Sequence, residues 1–309
     1  MTTWMIRLRR IVLIWMLGVF AAVPALADAY TQTRYPIVLV HGMLGWGDIA
    51  GYDHFYGIPG ALREGGAKVY VTQVSGLNTT EARGEQLLTQ IRNILAITGA
   101  QKVNLIGHSH GGPTARYVAA VAPQLVASVT AVGSPHRGSK LADDVAKTFP
   151  PGSPGEAILA GTAKALATII GMLSGKQNLP EVPLGPVMSL STAGAAAFNA
   201  RFPQGMPSDC GDGPELVNGV RYFSWTGTQP VTNLLDPSDV PMALLSTIHG
   251  EANDGLVTVC SSRLGRHLGD YRQNHLDEIN QFFGLRDLFS VSPVTLYRQQ
   301  ANRLKSLGI

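Results

Sequence analysis

With 309 residues, 45% of them hydrophobic and only 15% charged, the chain can bury a sizeable core in one domain or two unequal lobes. Thirty-five glycines and 19 prolines imply a fold with many turns. The formal charge of +3 resides in the first 27 residues, which hold Arg7, Arg9 and Arg10 and no acid, and falls to zero without them. No basic run or stripe remains, so the isoelectric point near 8.9 gives no support for a nucleic-acid partner.

Those 27 residues read as a signal peptide outside the fold. Arg7, Arg9 and Arg10 form a positive n-region, residues 11–23 are an apolar h-region, and Ala25-Leu26-Ala27 fits an A-x-A cleavage site. The apolar run is short for a membrane span, so cleavage after Ala27 is expected, leaving a secreted, soluble mature chain of residues 28–309 as a single domain. Two cysteines, Cys210 and Cys260, in an exported chain point to one disulfide. By the chain-entropy argument, closing a loop of that length stabilises by roughly 4 kcal/mol.

Along the mature chain, residues 35–40 (YPIVLV) form a continuous apolar, β-branched run expected of a strand buried on both faces. Residues 68–74 (KVYVTQV) read as a second strand. Leu87, Leu88, Ile91, Ile94 and Leu95 then recur at helical spacing, which predicts a helix over 79–96. The third strand, residues 102–106, runs into Gly107-His108-Ser109-His110-Gly111, and a helix-compatible segment over 113–122 follows directly. Further strands are expected at 125–132 and 220–225, with a short one at 256–260. Near-continuous apolar strands alternating with helices imply a mainly parallel sheet covered by helices on both faces, an α/β fold. Its sites should lie beyond the carboxyl ends of the strands. Between residues 150 and 186 the composition shifts to Ala, Gly, Pro and Ser, and an apolar stripe over 156–174 predicts one amphipathic helix flanked by glycines. It reads either as a movable lid over an apolar site or as an ordinary covering helix.

The strand, tight turn and helix around Ser109 carry the chemistry. Gly-x-Ser-x-Gly is a weak signal alone, but between a strand and a helix it lifts a serine hydroxyl clear of the sheet. Such a serine needs an imidazole base and a carboxylate to fix the imidazole tautomer. The chain order nucleophile, acid, base directs the search downstream. His110 sits on the turn itself and points elsewhere, His136 precedes any late acid, and His249 and His267 are assigned to the surface. His275, in a late loop, is the expected base. Asp254, in the Asn253-Asp254-Gly255 turn, is the expected acid, with Asp236, Asp239 and Asp277 as competitors. Residue chemistry alone leaves Asp236 and Asp277 solvated. The tetrahedral oxyanion needs two N–H donors, expected from the backbones of Met43 and His110, with Gly42 allowing close approach.

The segments YPIVLVHGM, VNLIGHSHGGPTARYVAA, GSPHRGS, LDPSD, ANDGLV and NHLDEINQFFGL, in this order, resemble the secreted bacterial true lipases of family I, the foldase-dependent group. The resemblance runs from about residue 30 to 304. It implies an α/β-hydrolase fold with a helical lid at about 151–175 and triacylglycerol lipase activity at a lipid–water interface. It also implies a triad of Ser109, Asp254 and His275. By the family pattern, Asp236 and Asp277, with the backbone carbonyls of Gln281 and Leu285, hold a structural Ca2+, and Cys210 and Cys260 match a single disulfide. A dedicated membrane-anchored chaperone, the lipase-specific foldase, and a two-step secretion route through the periplasm are implied too. The lid segment departs from the pattern in being rich in Ala and Gly. A carboxylesterase, thioesterase or amidase using the same triad, and a non-catalytic α/β-hydrolase relative, are the competing readings.

Overall fold

A computed structural model describes residues 29–49, 51–149, 152–154, 156–157 and 179–309. The signal peptide expected at 1–27 lies outside the described residues. So does the lid expected at about 151–175, apart from 152–154 and 156–157.

The frame is one seven-stranded sheet. Its strands are β1 Ile37–Val40, β4 Val69–Thr72, β5 Val103–His108, β6 Val126–Val132, β7 Leu216–Val217, β8 Val220–Gly227 and β9 Arg266–Tyr271, in the order β4-β1-β5-β6-β8-β7 with β9 paired to β8. All pairings are parallel except the short β7–β8 pair. A separate two-stranded hairpin joins β2 Asp48–Ile49 to β3 Tyr52–Asp53. Alternation along the strands builds two cores. Val38, Val40, Val103 and Leu105 face one cluster, which the helices Thr80–Thr98 and Gly111–Val121 cover. Ile37, Leu39 and Ile106 face the other, with Phe55, Trp225 and Tyr297. The Thr80–Thr98 helix starts where Thr79 accepts the Ala82 N–H and ends at Gly99 in left-handed geometry.

The sequence expectations for the first six elements differ from the structure by a residue or two at their ends. The short strand expected at 256–260 is replaced by a single bridge between Asn253 and Thr258 and a helical turn, Val259–Ser262. The Thr258 hydroxyl caps that turn by accepting the Ser261 N–H, a local bond that competes with strand pairing. The sheet gains its last parallel strand from β9 instead. Cys210 and Cys260 are joined as a disulfide.

Candidate active site

Ser109 occupies the turn between β5 and the helix Gly111–Val121, at φ 55°, a left-handed conformation rare for a residue with a side chain. The glycines around it are dictated by space. A Cβ on Gly107 would lie 2.3 Å from the Gly111 carbonyl oxygen, and one on Gly111 would lie 2.1 Å from that of Val40. The Ser109 N–H donates to the Val132 carbonyl at 2.9 Å, pinning the turn to the neighbouring strand. Its Oγ has no hydrogen-bond partner among the described residues and faces a pocket.

His275 follows β9, and Asp254 lies in the loop between β8 and β9, so both stand at the carboxyl ends of strands. Asp254 is fully buried, and its Oδ2 lies 2.7 Å from His275 Nδ1. Its Oδ1 accepts the N–H groups of Leu256 and Val257 at 2.8 and 2.7 Å. The two residues are also tied by their backbones, His275 N–H to the Asp254 carbonyl at 2.9 Å. A carboxylate can only accept, so Nδ1 carries the proton and Nε2 keeps a lone pair.

Sequence reasoning missed a second carboxyl beneath the imidazole. Glu278 is fully buried; its Oε1 accepts the Gly227 N–H at 2.5 Å, and its Oε2 lies 3.8 Å from His275 Nδ1 and 3.4 Å from His108 Nε2. Burial, then the charge of Asp254, pushes its carboxyl well above the usual carboxylate range. Ligand atoms of His108, His275 and Glu278 lie close enough together to suggest a metal site. Two imidazoles and one carboxylate are a poor set for Ca2+, which takes oxygen ligands, and His275 Nδ1 is already engaged by Asp254.

The loop after β1 brings Gly42 and Met43 to the serine; a Cβ on Gly42 would meet Ser109 Cβ at 2.7 Å. Neither the Met43 nor the His110 N–H has an acceptor among the described residues. The loop is held from behind. His41 Nε2 accepts the Val74 N–H at 3.2 Å, so its Nδ1 carries the proton that goes to the Gly42 carbonyl at 2.8 Å. Arg83, fully buried, donates to the carbonyls of Ser75, His41 and Gly42. Burial lowers its guanidinium to about 9. The His110 ring is buried against Thr80 Oγ1 at 2.9 Å, away from the pocket. His41, His108 and His110 are held well below the ordinary imidazole range, by burial first.

Asp236 and Asp277, expected from residue chemistry to be solvated, are buried with Asp239. Asp239 Oδ2 accepts the N–H groups of Thr232 and Asn233 at 2.8 and 2.7 Å. One oxygen of each of the other two, Asp236 Oδ2 and Asp277 Oδ1, is buried without a partner. Burial, then Asp236 and Asp239, raises Asp277 to about 7. Orphaned carboxylate oxygens in a buried acidic group fit a hard cation. Gln281 and Leu285 bracket a turn in which Phe282 and Phe283 both have positive φ, at 51° and 61°. Such strain persists only where the surroundings over-determine it. His249 and His267, assigned by sequence to the surface, are not there. His249 is 1% exposed near Asp254, and the His267 ring lies between Ser224 Oγ and Asp270 Oδ1.

The pocket in front of Ser109 has a volume of about 140 Å3. Met43, Leu141, Val145, Val187, Leu190 and Leu256 supply most of its apolar wall. Such a lining accepts an alkyl group while the serine meets a carbonyl at its base.

The alpha/beta hydrolase fold family matches residues 35–240. A triacylglycerol lipase of Vibrio cholerae is 55% identical over 284 residues, covering 91% of this chain and 91% of that protein. The triacylglycerol lipase of Pseudomonas fragi is 45% identical, covering 91% of this chain and all of its own length. Among solved structures, Staphylococcus hyicus lipase superimposes with a TM-score of 0.63 at 17% identity, over 89% of this chain and 98% of that one, a likeness of fold.

Proposed function

We propose, since this chain belongs to the bacterial triacylglycerol lipase family of α/β hydrolases, that it hydrolyses the ester bonds of long-chain acylglycerols at a lipid–water interface through an acyl-enzyme. The observation that carries the reading is the Asp254–His275 pair at 2.7 Å, whose imidazole lies against the ring of His108, centroids 4.6 Å apart, one residue before a left-handed serine that lines an apolar pocket. His275 Nε2 takes the Ser109 proton as Oγ attacks the ester carbonyl, and the imidazolium that forms is stabilised by Asp254. The Met43 and His110 N–H groups receive the oxyanion. Collapse expels the alcohol, protonated by His275, and water activated by the same ring releases the fatty acid.

Asp236 and Asp277, with the carbonyls of Gln281 and Leu285, hold Ca2+ in this reading; the orphaned oxygens of the two aspartates support it. The ion offsets the mutual repulsion of the buried acids and tethers the loop of His275. In this reading residues 1–27 direct export, activation at the interface falls to the lid expected at about 151–175, and a membrane-anchored foldase assists folding on the way out through the periplasm.

The test compares rates on a triglyceride series as each member passes its solubility limit. A rise at the limit is expected. Equal or higher turnover of monomeric short esters would favour a carboxylesterase, and undiminished turnover in Ser109→Ala would remove the nucleophile assignment.

A further inference from the structure

The residue that carries an additional role is Glu181, which lies outside the pocket and reacts with nothing. Its carboxylate receives two consecutive backbone N–H groups, Gly76 to Oε1 at 2.9 Å and Leu77 to Oε2 at 2.5 Å. Neighbouring bonds close the same contact: Val182 N–H to the Leu77 carbonyl at 2.7 Å, and Ser75 Oγ and Asn78 Nδ2 to the Pro180 carbonyl at 2.6 and 2.7 Å.

The two peptide units that Glu181 grips each lead, by one step, to one side of Met43. The Gly76–Leu77 peptide gives its N–H to Glu181 and its carbonyl to the Leu44 N–H at 3.0 Å. Leu44 sits at φ 52° directly after Met43, a conformation that needs holding. The Ser75–Gly76 peptide gives its N–H to Glu181 and its carbonyl to Arg83. Arg83 in turn donates to the Gly42 carbonyl at 3.2 Å, and that carbonyl shares a peptide plane with the Met43 N–H. A carboxylate on one end of a peptide polarises it and strengthens the bond made at the other end.

We propose that Glu181 is a positioning residue for the oxyanion hole, orienting the Met43 N–H through Gly76 and Leu44 on one side and through Ser75 and Arg83 on the other. The inference rests on the proposed function, in which Ser109 is the nucleophile and the Met43 N–H an oxyanion donor. A donor tilted away costs the transition state and leaves ground-state binding of the ester almost untouched.

The experiment measures kcat and KM on a soluble p-nitrophenyl butyrate for the full chain and for Glu181→Gln and Glu181→Ala. Alongside, it measures the inhibition constant of a trifluoromethyl ketone, whose adduct with Ser109 carries the oxyanion. Expected is a fall in kcat of about tenfold for Glu181→Gln and more for Glu181→Ala, below the 10²–10³ for outright loss of a donor. KM stays within about twofold, and the inhibition constant rises by the same factor as kcat falls. A kcat unchanged in Glu181→Gln, or a loss confined to KM, overturns the proposal. The conservative variant keeps the question decidable if Glu181→Ala does not fold. Failure of the underlying reading looks different: Ser109→Ala then matches the unsubstituted protein, and the ketone binds neither.

Discussion

The two halves of the candidate site are built from different materials. On the Ser109 side, position follows from backbone packing. β5 lies in the middle of the sheet, the glycines at 107 and 111 admit neighbouring carbonyls where a Cβ would collide, and the first two turns of the helix that follows are buried almost throughout. On the His275 side, position follows from polar ties between loops. Asp254 is held by the N–H groups of Leu256 and Val257, and Asn274 by Ser238, Asp239 and Asp277. The first arrangement is set by backbone, and the histidines that flank the serine, His108 and His110, are held by burial well below the ordinary imidazole range. The second depends on the protonation of buried acids and, in the proposed function, on the ion they hold, so pH and metal should act on the base and leave the nucleophile in place.

Ser109→Ala gives the largest expected effect: at least about a 10³-fold loss of ester turnover, with thermal unfolding nearly unchanged. Only one methyl-sized group alters, and the turn around it is fixed by backbone. A loss of stability comparable with that of a core deletion would show that the hydroxyl, and not the backbone, holds the turn together. Asp254→Asn should cost less, between about ten- and 10³-fold. Losing the orienting carboxylate removes the correct tautomer, but Glu278 Oε2 stands 3.8 Å from His275 Nδ1. The double variant with Glu278→Gln should approach Ser109→Ala in the same ester assay. If single and double variants are equally active, Glu278 does not substitute for Asp254.

Chelation should act on the second half alone. An ion present at about a thousand times its dissociation constant stabilises the fold by about 4 kcal/mol, roughly 10 °C of melting temperature for a chain this size. Calcium should restore this and magnesium should not. Asp277, raised from 3.8 to about 7, holds its proton more tightly when folded than when unfolded. Without the ion its contribution is therefore present below about pH 4 and is lost as pH rises through 7. Calcium competes with that proton, so the melting difference between loaded and chelated protein should widen from pH 5 to pH 8. A constant difference, measured by calorimetry across that range, would place the ion elsewhere.

The halves also differed in how far they could be read from sequence. The turn around Ser109 is legible because its determinants are contiguous: an apolar run, glycines at fixed offsets and a helix within a dozen residues. The region around His275 was legible only in outline. Chain order pointed to His275 and Asp254, and resemblance marked Asp236 and Asp277, but residue chemistry called those two aspartates solvated. Glu278 passes for a surface acid because nothing in its local spacing shows that Gly227, 51 positions away, donates to it. Arg83 was hidden in the same way. A cation in an amphipathic helix reads as solvent-facing, and only the folded chain brings it carbonyls from the 41–42 and 75 backbones. Burial of charge is a long-range property, whereas strand, turn and apolar stripe are local ones.

The smallest expected effects come from a matched pair that touches neither the serine nor the imidazole. Ile91 packs in the core that the helices Thr80–Thr98 and Gly111–Val121 cover, and Ile91→Val should cost about 1 kcal/mol of stability with kcat unchanged, because the strands and glycines still define the turn. Asn274 is the polar counterpart. Its Nδ2 donates to Ser238 Oγ and Asp239 Oδ1 at 3.0 Å each, and its Oδ1 accepts the N–H groups of Leu276 and Asp277 at 2.9 Å. Asn274→Ala removes these ties one residue before His275, leaves buried partners unsatisfied, and should cost a further 1–3 kcal/mol. The ratio of catalytic to stability loss separates the two halves: near zero for Ile91→Val, and for Asn274→Ala a several-fold fall in kcat that excess calcium partly reverses. Equal ratios in stopped-time ester assays and urea titrations would mean that packing and polar ties position the two reacting groups alike.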